Sequence, residues 1–328
     1  LEKVAMLTRR TFQALAAALI VGSFSAGAMA QGQKPLNVVA TTGMIADLVR
    51  SVGGERVRVS QLMGEGVDPH LYKATRSDIT AMLGADMVFY NGLLLEGKLS
   101  DALVRIATSG KPVFAVTELM DESALLQTEG SDGHFDPHVW MDPQAWLKAV
   151  EVVQQKLEQR DGAGAAVYRA NAARLQGEIA ALDAYAARVL GAVPKERRVL
   201  VTAHDAFNYF GKRYGFDVLG IQGISTESEA GLKQIENLVG VLVERNIPAV
   251  FVESTIPERS VRALIAGARA KGRTVAIGGE LFADAMGKPG TYEGTYIGMM
   301  DHNVTTIARA LGADAPAGGL MGKLARKD

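Results

Sequence analysis

Cysteine is absent from all 328 residues, which removes disulfides and thiolate metal ligands from consideration. A lipid anchor on an N-terminal cysteine is not expected for the same reason. Neither sign of charge is in excess: 35 basic and 36 acidic side chains are mixed along the chain. With no basic stripe to follow a phosphate backbone, nucleic acid is not an expected partner. What the chain does have is apolar content, 48% over this length. That is enough to bury more core than one average domain needs, so one large or two medium domains are expected, and disorder is not.

Residues 1–30 read as a signal peptide. Lys3, Arg9 and Arg10 precede the apolar stretch TFQALAAALIVGSFSAG, and Ala28–Ala30, AMA, offers the small residues of a signal-peptidase site. The stretch is short and interrupted by Gly and Ser, which disfavours the alternative of a membrane-anchoring helix. TRRTF also resembles a twin-arginine signal. Removing three of the 35 basic side chains and one of the 36 acidic ones leaves 32 against 35, a formal charge of −3. The mature protein is expected to be soluble, in the periplasm.

Beyond the signal, short β-rich runs alternate with helical patterns. LNVVATTG, RVRVSQLM, DMVFYNG and GKPVFAVTE are strand candidates, with MIADLVRSVGG and RSDITAMLGA as helices between them. This is the rhythm of a parallel sheet covered by helices. From Pro143 the pattern turns helical: PQAWLKAVEVVQQKLEQ, a break at DGAGA, then the long Ala-rich run AVYRANAARLQGEIAALDAYAARVLG. The βα rhythm resumes with RRVLVTAH, DVLGIQG, PAVFVES and RTVAIGG. The fold class is therefore α/β, with two domains, each a parallel sheet with flanking helices, joined by a long rigid helix. The boundaries are residues 31–160, a linking helix 161–196, and 197–328, with the ligand site in the cleft between domains.

Five histidines are candidates for chemistry. His70 in GVDPHLY follows a strand candidate, at the end where this class of fold places ligand groups. His138 in FDPHVW repeats the same Asp-Pro-His lead-in. Proline fixes its own φ and biases the aspartate before it toward extended backbone, so both loops present their histidine with little freedom left to lose. Two independent turns leading into helices would look alike. His204 ends VLVTAH, and Asp284 in GGELFADAM lies just beyond a strand. Either could instead cap the following helix. His302, inside a helical pattern, reads as structural or exposed. Neutral imidazoles and a carboxylate suit Zn²⁺ and are acceptable to Mn²⁺. No compact motif such as H-E-x-x-H is present.

ATTGMIADLV, GVDPHLY, FDPHVWMDP, VTAHDAFNYFGKRYG, GIQGISTESEA, FVES, GGELFADAMG and GTYIGMMDHN together span nearly all of residues 35–315. In these stretches the chain resembles the periplasmic metal-binding (solute-binding) proteins of bacterial zinc and manganese ABC importers, the cluster A-I family. The resemblance implies two α/β domains on a rigid helix, one divalent cation at their interface, and metal ligands at His70, His138, His204 and Asp284. The third ligand position is glutamate in many manganese-binding relatives. The implied partner is the membrane permease of an ABC importer, and the chain is expected to act as a monomer.

Three histidines and one aspartate are richer in nitrogen than Mn²⁺ most favours, and the Irving–Williams order places zinc above manganese at such a site. Zn²⁺ is therefore the favoured cargo over Mn²⁺. The short segment DESALLQTEGSDG lacks the histidine-rich loop of many zinc-specific relatives, which keeps a manganese-preferring importer as the alternative. An ion ligated wholly by protein has no position for an activated water, so a metal-dependent hydrolase is disfavoured. A binding module with a structural metal is a further alternative. Asp68, Asp136 and Asp205 are candidates for orienting an imidazole through its second nitrogen, and Glu253 for a buried acid beneath the site. His134 lies four residues before His138, a chelating spacing only on a helix, and Gly133 and Pro137 argue against a helix there. It is read as a loop residue.

Overall fold

The computed structural model describes residues 34–127 and 133–325. The expected signal, residues 1–30, lies outside the described residues. Among those described, no helix is long and apolar enough to cross a membrane.

Alternation along short strands builds the first lobe. Leu36–Ala40 (β1), Val57–Gln61 (β2), Met87–Tyr90 (β3) and Val113–Ala115 (β4) form a parallel sheet in the order β2-β1-β3-β4. Successive side chains on a strand point to opposite faces. Val38, Ala40, Met87 and Phe89 accordingly enter one apolar cluster with the helix Gly43–Gly53 (α1). Val39 and Val88 enter a separate one with Met82 of Arg76–Gly84 (α2) and Leu103 and Ile106 of Ser100–Thr108 (α3). Both faces are covered, as a parallel sheet requires. Thr42 and Thr75 cap α1 and α2 by accepting main-chain N–H bonds, each worth about 1 kcal/mol.

The second lobe repeats the scheme. Val199–Thr202 (β5) pairs in parallel with Asp217–Gly220 (β6), and Ala249–Glu253 (β7) with Ala276–Leu281 (β8). The two ribbons are hydrogen-bonded within themselves, and β5 lies against β7. Val199, Val201, Val250 and Val252 face a cluster with Leu238 and Leu264, from the helices Leu232–Glu244 (α7) and Arg259–Ala270 (α8). Leu200, Ala249 and Phe251 face the other side.

Between the lobes come the helices Pro143–Arg160 (α4) and Ala165–Gly191 (α5), the latter 27 residues long, or about 40 Å at 1.5 Å per residue. Tyr168, Ala172, Leu175, Ile179, Leu182, Ala186 and Val189 recur every three or four positions on its buried face. The helix runs unbroken through Gly177. It packs on α1 and α4, and also on Asn208–Tyr214 (α6) and Tyr296–Ala310 (α9) of the second lobe. The largest apolar cluster consequently runs from Val38 to Ala315. A core shared through α5 opposes free swinging of one lobe against the other.

Candidate metal centre

His70 follows β2, His204 lies two residues beyond β5, and Asp284 three beyond β8. These are the carboxyl ends of parallel strands. His138 arrives differently. It lies 23 residues past the end of β4, just before a short 3-10 turn, Val139–Met141, that leads into α4. Asp142 caps α4 by accepting from Gln144 N at 2.8 Å, and Pro143 occupies the first helical turn. The two Asp-Pro-His segments make the same main-chain hydrogen bond. Asp68 Oδ1 accepts from the His70 N–H at 2.9 Å, and Asp136 Oδ1 from the His138 N–H at 2.9 Å. Each is an Asx turn that sets the histidine that follows.

The fold brings His70, His138, His204 and Asp284 together from both lobes, none more than 3% exposed. One ligand-competent atom from each lies within 4.8 Å of all the others. Nε2 of His70, His138 and His204 stands 3.4, 3.3 and 3.2 Å from a carboxylate oxygen of Asp284. Bonds of 2.0–2.1 Å to a tetrahedral ion would separate two ligand atoms by about 3.3 Å. The three Nε2 atoms and both Asp284 oxygens are buried without a hydrogen-bond partner, a costly arrangement for an apolar interior. A divalent cation held among them would offset that cost. The arrangement is a His3Asp metal-binding site.

Carboxylates behind the site fix two of the rings. Asp136 Oδ1 is 2.7 Å from Nδ1 of His138, and Glu253 Oε2 is 2.6 Å from Nδ1 of His204, while Glu253 Oε1 accepts the His204 N–H at 2.9 Å. Such partners select the tautomer that leaves Nε2 free to ligate. Burial works against charge on His138, but Asp136 and Asp284 outweigh it and raise that imidazole to about 9. His204 is likewise desolvated, yet Glu253 and Asp284 hold it well above its ordinary value. At His70 burial wins over Asp284, and the imidazole falls to about 4. Burial opposes ionisation of Asp284, but His204 and His138 keep it well below the usual carboxylate range.

Of the candidate orienting groups, Asp136 and Glu253 reach a ring. Asp68 instead holds the backbone of His70, and the Asp205 N–H donates to Gly223 O. His134 is exposed in its loop. His302 lies in α9, its Nε2 2.9 Å from Glu280 O and its ring against Phe282. Sequence reasoning did not single out Asn208, whose Nδ2 donates to Asp136 Oδ2 at 3.1 Å, or Thr226, whose hydroxyl donates to Asp68 Oδ2 at 2.6 Å. Nor did it find Asn91, whose Nδ2 donates to Pro137 O at 3.1 Å. All three contacts join residues far apart in the chain, and nothing local announces them.

A family profile described as ZnuA, "Zinc-uptake complex component A periplasmic", matches residues 38–310. The chain belongs to this family. It is 46% identical over 290 residues to the manganese-binding lipoprotein MntA of Bacillus subtilis, covering 88% of this chain and 94% of that protein. It is 45% identical over 278 residues to the zinc-binding protein TroA of Treponema pallidum, covering 85% and 89%. The solved structure of the periplasmic zinc-binding protein TroA superposes with a TM-score of 0.82 at 44% identity, covering 84% of this chain and 99% of that one. As a ZnuA-type protein the chain captures a divalent metal ion outside the cytoplasm and delivers it to the membrane permease of an ABC importer. It is a transport protein and not an enzyme.

Proposed function

We propose that His70, His138, His204 and Asp284 ligate a single cargo ion, and that this ion is Zn²⁺ in preference to Mn²⁺. The observation that carries the reading is the set of five buried, unpartnered ligand atoms converging from both lobes. Three imidazoles favour zinc, and the Irving–Williams order acts in the same direction. Both oxygens of Asp284 face imidazoles, so the carboxylate is placed to complete the ligand set with the three rings. One chain supplies every ligand, which supports a monomer. Residues 31–160 and 197–328 are the two metal-binding domains, with 161–196 joining them.

A manganese-preferring importer is the second reading. It is favoured by the short segment before His138, with its one histidine, and by the likeness to a relative named as manganese-binding. Competitive titration of the apo protein with Zn²⁺ and Mn²⁺ separates the two. One ion per chain, with Zn²⁺ displacing Mn²⁺, supports the first reading. Tighter binding of Mn²⁺ supports the second.

A further inference from the structure

His138 and His204 are each held twice by one carboxylate, at the main-chain N–H and at Nδ1. His70 is held once. Its N–H donates to Asp68 Oδ1, and among the described residues no carboxylate is hydrogen-bonded to its Nδ1. Its ring direction therefore depends on its backbone, in the irregular connection between β2 and α2. His138, by contrast, is followed at once by the turn that leads into α4. The other oxygen of Asp68 accepts the Thr226 hydroxyl at 2.6 Å, from a residue 158 positions away on the connection between β6 and the helix at Leu232. Thr226 is buried, and that connection braces itself through Gln222 Nε2 to Ser228 O and Glu227 N to Ser225 Oγ.

We propose that Thr226 is a positioning residue for metal retention: from the second lobe it fixes Asp68, and through Asp68 the backbone of His70, so that loss of this one contact frees His70 ahead of the other three ligands. The proposal rests on the ligand reading above. A neighbouring contact, Lys98 Nζ to Glu227 Oε1 at 3.0 Å, also crosses between the lobes, but its side chains are 39% and 43% exposed. Screened pairs of that kind contribute little. The Thr226 bond is short, part-buried and made to a carboxylate, the class that is about twice as strong as a neutral one. Parting of the lobes at the permease would break it, and cargo release would begin at His70.

The test is release of Zn²⁺ from the loaded full chain to a chromogenic chelator, followed by stopped flow. Thr226→Val is expected to bind one Zn²⁺ and release it about tenfold faster, the scale of an outer-sphere contact to a metal ligand. Thr226→Ser restores the wild-type rate, and Lys98→Ala stays within about twofold of it. In an Asp68→Ala background, Thr226→Val has no further effect. Thr226→Ala takes the place of the valine chain if that chain does not fold. Release from Thr226→Val at the wild-type rate, an additive effect in the Asp68→Ala background, or an equal effect of Lys98→Ala overturns the proposal while leaving the ligand reading intact. A wild-type chain that binds no Zn²⁺ overturns both.

Discussion

The indole Nε1–H of Trp140 donates to the main-chain oxygen of Ala283 at 3.0 Å, across 143 positions of sequence. Trp140 is two residues beyond His138, and Ala283 immediately precedes Asp284. The same tryptophan is fully buried with its ring edge-on to His138, and its carbonyl accepts the Tyr296 hydroxyl at 2.9 Å. One side chain thus ties the histidine loop of the first lobe to the aspartate loop of the second. Trp140→Phe keeps an aromatic ring but leaves the Ala283 carbonyl without its donor. Chemical denaturation is expected to show a loss of about 1–3 kcal/mol, with weaker Zn²⁺ binding in titration. A variant unchanged in both would remove Trp140 from the account.

The roles of His204 and Glu253 predict a graded pair of effects. His204→Ala removes a proposed ligand and leaves Glu253 buried without its ring partner, so Zn²⁺ affinity should fall by orders of magnitude while far-UV circular dichroism changes little. Glu253→Gln keeps the shape but weakens the hold on Nδ1, and affinity should fall by about 10- to 100-fold. Equal affinities for Glu253→Gln and the wild type would make Glu253 a structural acid only.

Asp183 of α5 joins helices from both lobes. It accepts from Gln144 Nε2 of α4 at 2.9 Å, from Tyr214 OH of α6 at 3.0 Å, and from the guanidinium of Arg213. Burial opposes ionisation here, but the bonds from Arg213, Gln144 and Tyr214 outweigh it and hold the carboxyl below its usual value. A depressed folded-state value stabilises the fold fully above the unfolded carboxyl value, about 3.9, and is lost as pH falls through the folded one. Asp183→Asn should therefore lower the melting temperature most at neutral pH, with the gap to the wild type narrowing below about pH 4. A gap that stays constant from neutral pH into acid would contradict this.

Chelation should leave the fold standing. The lobes are held by apolar clusters that do not depend on the site, the largest running from Val38 to Ala315. The metal adds stability only by mass action, about 2.7 kcal/mol at a free concentration 100 times the Kd. Apo protein should keep its helical dichroism and melt cooperatively at a lower temperature. Global unfolding on chelation would mark a structural ion instead of a cargo.

How far the sequence alone reaches follows from the range of each signal. Short β-branched runs mark β1 and β5, and the Ala-rich periodicity of α5 is legible because helix and strand patterns are local. The Asp-Pro-His lead-ins of His70 and His138 are local too, and the structure forms both as the same turn. Other features depend on where the lobes meet. Asp68, Asp136 and Asp205 look equivalent beside their histidines, yet only Asp136 reaches an imidazole. Glu253 lies 49 residues from the ring it holds. Thr226 and Asn208 act on Asp68 and Asp136 from the opposite lobe, which composition and periodicity cannot reveal. The separation of the second-lobe strands into two ribbons, β5–β6 and β7–β8, is likewise a matter of pairing and not of pattern.

X-ray absorption spectroscopy of the Zn²⁺-loaded protein reads the proposed ligand set itself. Ligation by His70, His138, His204 and Asp284 gives scattering from three imidazoles at about 2.0–2.1 Å and oxygen from one carboxylate. A first shell without imidazole scattering, or one dominated by water oxygens, would contradict it.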